Sequence, residues 1–123
     1  VNDLETLVDG WLTVPDLAER LGTDAGEVRR MIEERRMLAV RRGEPRVVSV
    51  PAAFLVEAPG ATPEVLPWLQ GTVNVLDDAG FDDESAMAWL FGPDDSFPGG
   101  SPIAALRSGH KTEVRRRAQA LAL

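Results

Sequence analysis

The sequence predicts a mainly α fold: a helix-turn-helix with a short β-hairpin wing, followed by a helical C-terminal half. Three observations predict it. Two short apolar-periodic stretches, each with a capping residue, flank a turn at Gly22. Strand-forming residues then fold back on themselves around Gly43, Glu44 and Pro45. Beyond residue 58, polar caps followed by Pro or acids mark successive helix starts.

The first helix is predicted over residues 15–21. Thr13 and Val14 stand at its start, and Pro15 suits the first turn, where its missing N–H needs no partner. Asp16 and Glu19 lie where the helix dipole favours acids, and Leu17 and Leu21 extend an apolar stripe from Val14. Gly22 supplies the left-handed stop. The second helix is predicted over residues 24–35. Asp24 and Glu27 satisfy the capping-box spacing, and Val28, Met31 and Ile32 form the buried face. Arg29, Arg30 and Glu33 fall elsewhere on the wheel. Two short helices joined by a Gly-containing turn make a helix-turn-helix.

The segments LAVRR (38–42) and RVVSV (46–50) then predict a hairpin wing, with Arg41, Arg42 and Arg46 flanking its tip. Residues 52–56 are expected to form a packed helical turn, and residues 57–63 a connection between modules. In the second half, Thr62, Pro63 and Glu64 predict a helix over residues 63–78, which Pro67 or Gly71 could bend. Asp82 or Asp83 caps the next helix, whose apolar positions include Met87, Trp89, Leu90 and Phe91. Ser101 and Pro102 open another, and a last helix is expected over about residues 110–121. Trp68, Phe81, Trp89 and Phe91 sit at helical spacing beside Leu and Met, which reads as core rather than as a stacking platform. Trp11 is expected to cover an apolar junction.

Composition removes most catalytic chemistries. The 123-residue chain has no Cys and one His, His110, so thiolate nucleophiles, Cys-based zinc sites and paired-His metal sites are excluded. The acid pairs Asp77/Asp78, Asp82/Asp83 and Asp94/Asp95 read as solvated caps, because adjacent acids do not face one cavity. Residues 94 onward lack calcium-loop spacing, and the glycines at 99 and 100 lack a phosphate-loop context. No catalytic residue, metal or cofactor is expected. No apolar run approaches the roughly 20 residues needed to cross a bilayer, and VNDLETLVDG is acidic where an export signal would be basic.

The net charge of −7 argues at first against a partner as acidic as DNA. Its arrangement says otherwise. Residues 29–46 hold seven arginines (Arg29, Arg30, Arg35, Arg36, Arg41, Arg42, Arg46) against three acids. Residues 107–123 hold five bases, including Lys111, Arg115, Arg116 and Arg117, against Glu113. The remaining segments are strongly acidic. A local field matters more than the sum, because screening acts over about 8 Å at physiological salt.

The order VPDLAERLG (14–22), an Arg-bearing second helix, then LAVRR and VVSVP (38–51) resembles small winged helix-turn-helix modules of the MerR/excisionase type. With MAWLFGPD (87–94) and VRRRAQAL (114–121), nearly the whole chain resembles a family of mycobacterial DNA-binding proteins known as Ser/Thr kinase substrates, with actinobacterial relatives. The resemblance implies a cytoplasmic DNA-binding protein, with a winged module at residues 12–58 and a helical module at residues 59–123 packed on it. It implies DNA contacts from Arg29 and Arg30 on the second helix and from Arg41, Arg42 and Arg46 on the wing. It also implies a kinase as regulator, with acid-flanked Thr6 the counterpart of the target by location.

The expected function is therefore double-stranded DNA binding, with transcription regulation one step further. Arg35 and Arg36 join the contact set as members of the same cluster. Lys111, Arg115 and Arg116 form a candidate second stripe. The rival reading is a protein-interaction module, antitoxin-like or a scaffold, whose Arg face docks an acidic partner. The pattern DDESAMAWLF followed by SPIAALRSG is similar to the C-terminal domain of Xre-type antitoxins, which places any protein partner on residues 59–123.

Overall fold

The computed structural model describes residues 4–121. Its elements are α1 (Leu4–Leu7), β1 (Trp11–Thr13), α2 (Val14–Leu21), α3 (Ala25–Glu33), β2 (Val40–Arg42), β3 (Val47–Pro51), β4 (Leu55–Val56), β5 (Glu64–Val65), α4 (Leu69–Asp78), α5 (Asp83–Phe91), α6 (Pro102–Arg107) and α7 (Lys111–Gln119). The mainly helical, winged architecture is the predicted one.

Capping chemistry sets the helix-turn-helix. The Asp16 N–H donates to Thr13 Oγ1 at 3.3 Å, and the Glu27 N–H donates to Asp24 Oδ1 at 2.8 Å. Gly22 takes φ 72° between the two helices. Leu17 and Val28 are fully buried where α2 crosses α3.

The second helix ends earlier than its apolar spacing predicts, at Glu33 rather than residue 35. Arg35 adopts φ 63°, and the N–H groups of Arg35 and Arg36 donate to the carbonyls of Ile32 and Met31. This is a Schellman closure with Arg where Gly is usual. A left-handed conformation costs a non-Gly residue about 1–2 kcal/mol. The closure turns Met37 and Leu38 into the core, both fully buried, so the wing begins at Val40 rather than Leu38.

The wing belongs to a three-stranded antiparallel sheet in the order β1-β3-β2. Arg41 lies opposite Val48 and Arg42 opposite Val47, while Leu12 of β1 lies opposite Val50. Strand β1 was not foreseen: three residues are too few to display alternation. Helix α1 was not foreseen either, and it packs against α5.

Residues 52–63 depart most from expectation. A single 3₁₀ turn at Ala52–Phe54 leads into β4, which pairs with β5. The helix predicted from residue 63 instead starts at Leu69. Pro67 disfavours helix at Leu66, whose N–H donates to the Phe54 carbonyl at 2.8 Å. Residues 57–63 are thus a hairpin loop. Downstream, Asp82 and Ser101 cap α5 and α6 as expected, accepting from the N–H groups of Ser85 and Ala104.

One continuous core runs through the described residues. Phe54 meets Phe91 with ring centroids 5.6 Å apart, bringing the segment after the wing onto α5. Phe91 and Phe97 are buried, whereas Trp68, Phe81 and Trp89 are half-buried at the core margin. Polar ties supplement the packing. Arg107 Nη1 donates to the carbonyls of Ala53 and Leu55, both at 2.6 Å. The Gln70 amide donates to the Glu34 carbonyl at 3.0 Å. Arg35 reaches the end of α4 and the start of α5, bonding Asp77 at 2.7 and 2.9 Å and Asp83 at 2.7 Å.

The Arg35 arrangement yields a stability prediction. Arg35→Ala should cost about 1–3 kcal/mol, toward the lower end because Asp83 is partly solvated. Arg35→Gly loses the same bonds but relieves the left-handed strain, so it should be about 1 kcal/mol more stable than Arg35→Ala. Urea melts of the two variants and the parent check this order; equal stability of the variants would show that the backbone is not strained at position 35.

Candidate nucleic-acid interface

The α3 helix and the wing face one another across an open groove of about 500 Å³. Its charged lining is Arg29 and Glu33 from α3, with Arg41 and Arg46 from the wing hairpin. Val14, Pro15, Ile32, Val47 and Val48 supply the apolar lining. Val47 is 41% exposed, one of two large apolar side chains this open among the described residues. A groove with a cationic rim and an apolar floor suits an anion that carries an uncharged body, such as a sugar-phosphate backbone.

The seven arginines of residues 29–46 separate into two groups. Among the described residues, Arg29, Arg36, Arg41 and Arg46 have no hydrogen-bonding or ionic partner, and all but Arg36 are exposed. Arg30 is exposed and pairs with Glu27 at 2.6 Å, one turn back along α3. Arg35 and Arg42 are engaged inside the fold. Arg35 holds Asp77 and Asp83, and these two carboxylates keep its guanidinium protonated more firmly than usual. Arg42 makes a two-pronged bond to Glu5 at 2.6 and 2.8 Å and lies over the Trp11 ring at 4.8 Å. It therefore clips α1 to the wing. The hydrogen bond from Arg42 pulls the Glu5 carboxyl below its ordinary range.

Of the candidate second stripe, Arg115 and Arg116 are bonded within the fold and Lys111 is exposed. Arg115 folds onto α4, where Nη2 donates weakly to the Trp68 carbonyl at 3.4 Å and Nε is buried without an acceptor among the described residues. Gly71 permits this: a Cβ there would overlap the guanidinium. Gly71 thus provides room for Arg115 within α4. Arg116 and Arg117 both bond Glu113, and together they pull its carboxyl below its ordinary range. Arg117 also reaches Ser96 and stacks on Phe97 at 4.1 Å. Lys111 is exposed over Trp68 at 5.7 Å.

Members of all three acid pairs also make specific bonds. Asp82 caps α5, and Asp94 bonds both the N–H and hydroxyl of Ser96, while Asp77 and Asp83 hold Arg35. Among the described residues, no group of three or more His, Asp or Glu is placed to hold a metal ion. His110 is exposed at the start of α7. Thr6 is exposed on α1, beside Glu5. No helix among the described residues is long and apolar enough to cross a membrane.

Comparison with known proteins bears on this geometry. Residues 5–55 match the family model described as "DNA-binding protein Rv2175c, wHTH domain", and residues 66–122 match the "Rv2175c C-terminal domain of unknown function". The DNA-binding protein Rv2175c of Mycobacterium tuberculosis (strain ATCC 25618 / H37Rv) is 32% identical over 120 residues, spanning 89% of this chain and 78% of that protein. The chain belongs to the Rv2175c family. The NMR structure of Rv2175c superposes with a TM-score of 0.79 at 31% identity, covering 93% of this chain and 82% of that one. The α3–wing groove therefore falls within the winged helix-turn-helix region of the Rv2175c family.

The α1–wing clip predicts a titration. Because Glu5 has a depressed pKa, its contribution is present above the ordinary value near 4.5 and is lost as pH falls through the lower folded value. An NMR titration should place the Glu5 midpoint below 4.5, and Arg42→Ala should return it toward 4.5. An unchanged midpoint in Arg42→Ala would show that the clip is not formed in solution.

Proposed function

We propose that this chain binds double-stranded DNA, with α3 in the major groove and the wing on the adjoining backbone. One observation carries the reading: Arg29, Arg41 and Arg46, from separate elements, line one groove and have no internal partner among the described residues. Arginines available on a shared face can meet phosphates without first breaking bonds within the fold. The neighbours Val47 and Pro15 offer apolar contact to deoxyribose or a thymine methyl. Arg30 and Arg36 are secondary contacts, Arg30 by exchanging Glu27 for a phosphate.

Residues 12–58 are the DNA-reading module in this proposal, and residues 59–123 are the body that holds it. The acidic remainder of the body repels the duplex and leaves the groove as the docking face. Lys111, Arg115 and Arg116 fall outside the contact. The role is binding without catalysis, in the cytoplasm where the DNA is, with transcription regulation as its consequence. Thr6 is the proposed acceptor for a regulating Ser/Thr kinase.

Titrating a short duplex across salt tests the proposal. Phosphate contacts from Arg41 and Arg46 predict a log–log slope of about −2. Arg41→Ala and Arg46→Ala should each weaken binding and reduce the slope by about 1, Arg29→Ala should weaken binding to preferred sequences most, and Arg116→Ala should leave the slope unchanged. Absence of binding at about 100 μM protein and low salt would overturn DNA binding and favour an acidic protein partner.

A further inference from the structure

The α3 helix presents a sparse reading face. Its exposed side chains are limited to Arg29, Arg30 and Glu33, with Gly26 contributing none. Arg30 is drawn back to Glu27. Arg29 and Glu33 remain, four residues apart on one side of the helix, and both line the groove that faces the wing. Glu33 is exposed and has no partner among the described residues, although Arg29, Arg41 and Arg46 line the same groove.

An unpaired carboxylate on a surface that receives phosphates is a liability unless it meets a donor. The major groove offers one that suits it best, the N4 amino group of cytosine; guanine and thymine edges present acceptors that repel a carboxylate, and adenine sets its N7 acceptor beside its N6 amino group. Arg29 has the complementary preference, its guanidinium matching the O6 and N7 acceptors of guanine. Four residues span about 6 Å of helix, close to two base steps of about 3.4 Å.

Resting on the DNA-binding reading above, we infer that Glu33 is a specificity-determining residue that accepts a hydrogen bond from a cytosine amino group about two base steps from a guanine held by Arg29. Glu33 then works partly by exclusion: it weakens binding to every duplex that lacks the amino donor at that position. The chain would read a short G/C element and gain the rest of its affinity from backbone contacts.

Selection from a pool of randomised duplexes, by the full chain and its variants, tests this. The parent should enrich one cytosine and one guanine at fixed spacing. Glu33→Ala should lose the cytosine preference, by about tenfold, while keeping the guanine and binding random duplexes more tightly. Glu33→Gln should move the preference at that position to adenine, which pairs well with an amide. Arg29→Ala should lose the guanine and retain the cytosine. Because Glu33 is exposed at the end of α3, the variants should melt with the parent, and a melt verifies that each is folded. If Glu33→Ala binds all duplexes more tightly but selects the parent's sequences, Glu33 only repels phosphate and the inference falls, with DNA binding intact. A parent that binds without any sequence preference also overturns it. A parent that binds no duplex overturns the DNA-binding reading itself.

Discussion

The turn at Arg35 governs how the rest of the molecule is arranged. Its left-handed backbone ends α3, and its guanidinium then spans to Asp77 and Asp83. The first effect drops Met37 and Leu38 into the core and sets where the wing begins. The second fixes the end of α3 to the junction between α4 and α5. A glycine would make the turn without strain but could not make the tie. Arg accepts a cost of about 1–2 kcal/mol in the backbone and offsets it with charge-assisted bonds in a partly buried setting.

The same division of labour runs through the other basic residues. Arg107 satisfies two backbone carbonyls beside the 3₁₀ turn, Arg42 clips α1 to the wing, and Arg115 lies in the space left by Gly71. Each is committed to the fold. Arg29, Arg41 and Arg46 do not, and they are the ones that share a groove. Abundant arginine thus serves two purposes, distinguished by what lies within reach of each guanidinium.

Sequence reading found the helix-turn-helix because its signals are local. Thr13, Asp24, Asp82 and Ser101 cap helices through bonds spanning three residues, and the apolar periods of α2 and α3 stand out clearly. It found the hairpin for the same reason. It missed β1 and the β4–β5 hairpin, which are too short to carry a period and exist because distant strands pair with them. It read Thr62-Pro63-Glu64 as a helix start, since that local chemistry is common to caps and strands; Pro67 and the Phe54 carbonyl decide the matter.

What the sequence determined by itself was the class of molecule: a mainly helical winged fold, with no cysteine and one histidine, and with its positive charge gathered in two segments of an acidic chain. What only the tertiary structure decided was which charges are free. Arg35 and Arg36 are neighbours of identical type, yet one holds two aspartates from the far half and the other holds none. Side-chain availability depends on partners 42 and 48 residues away, and no local pattern encodes such distances. Capping and periodicity act within a turn or two of helix and can be read along the chain; charge pairing acts through space and can be read only once the chain has folded.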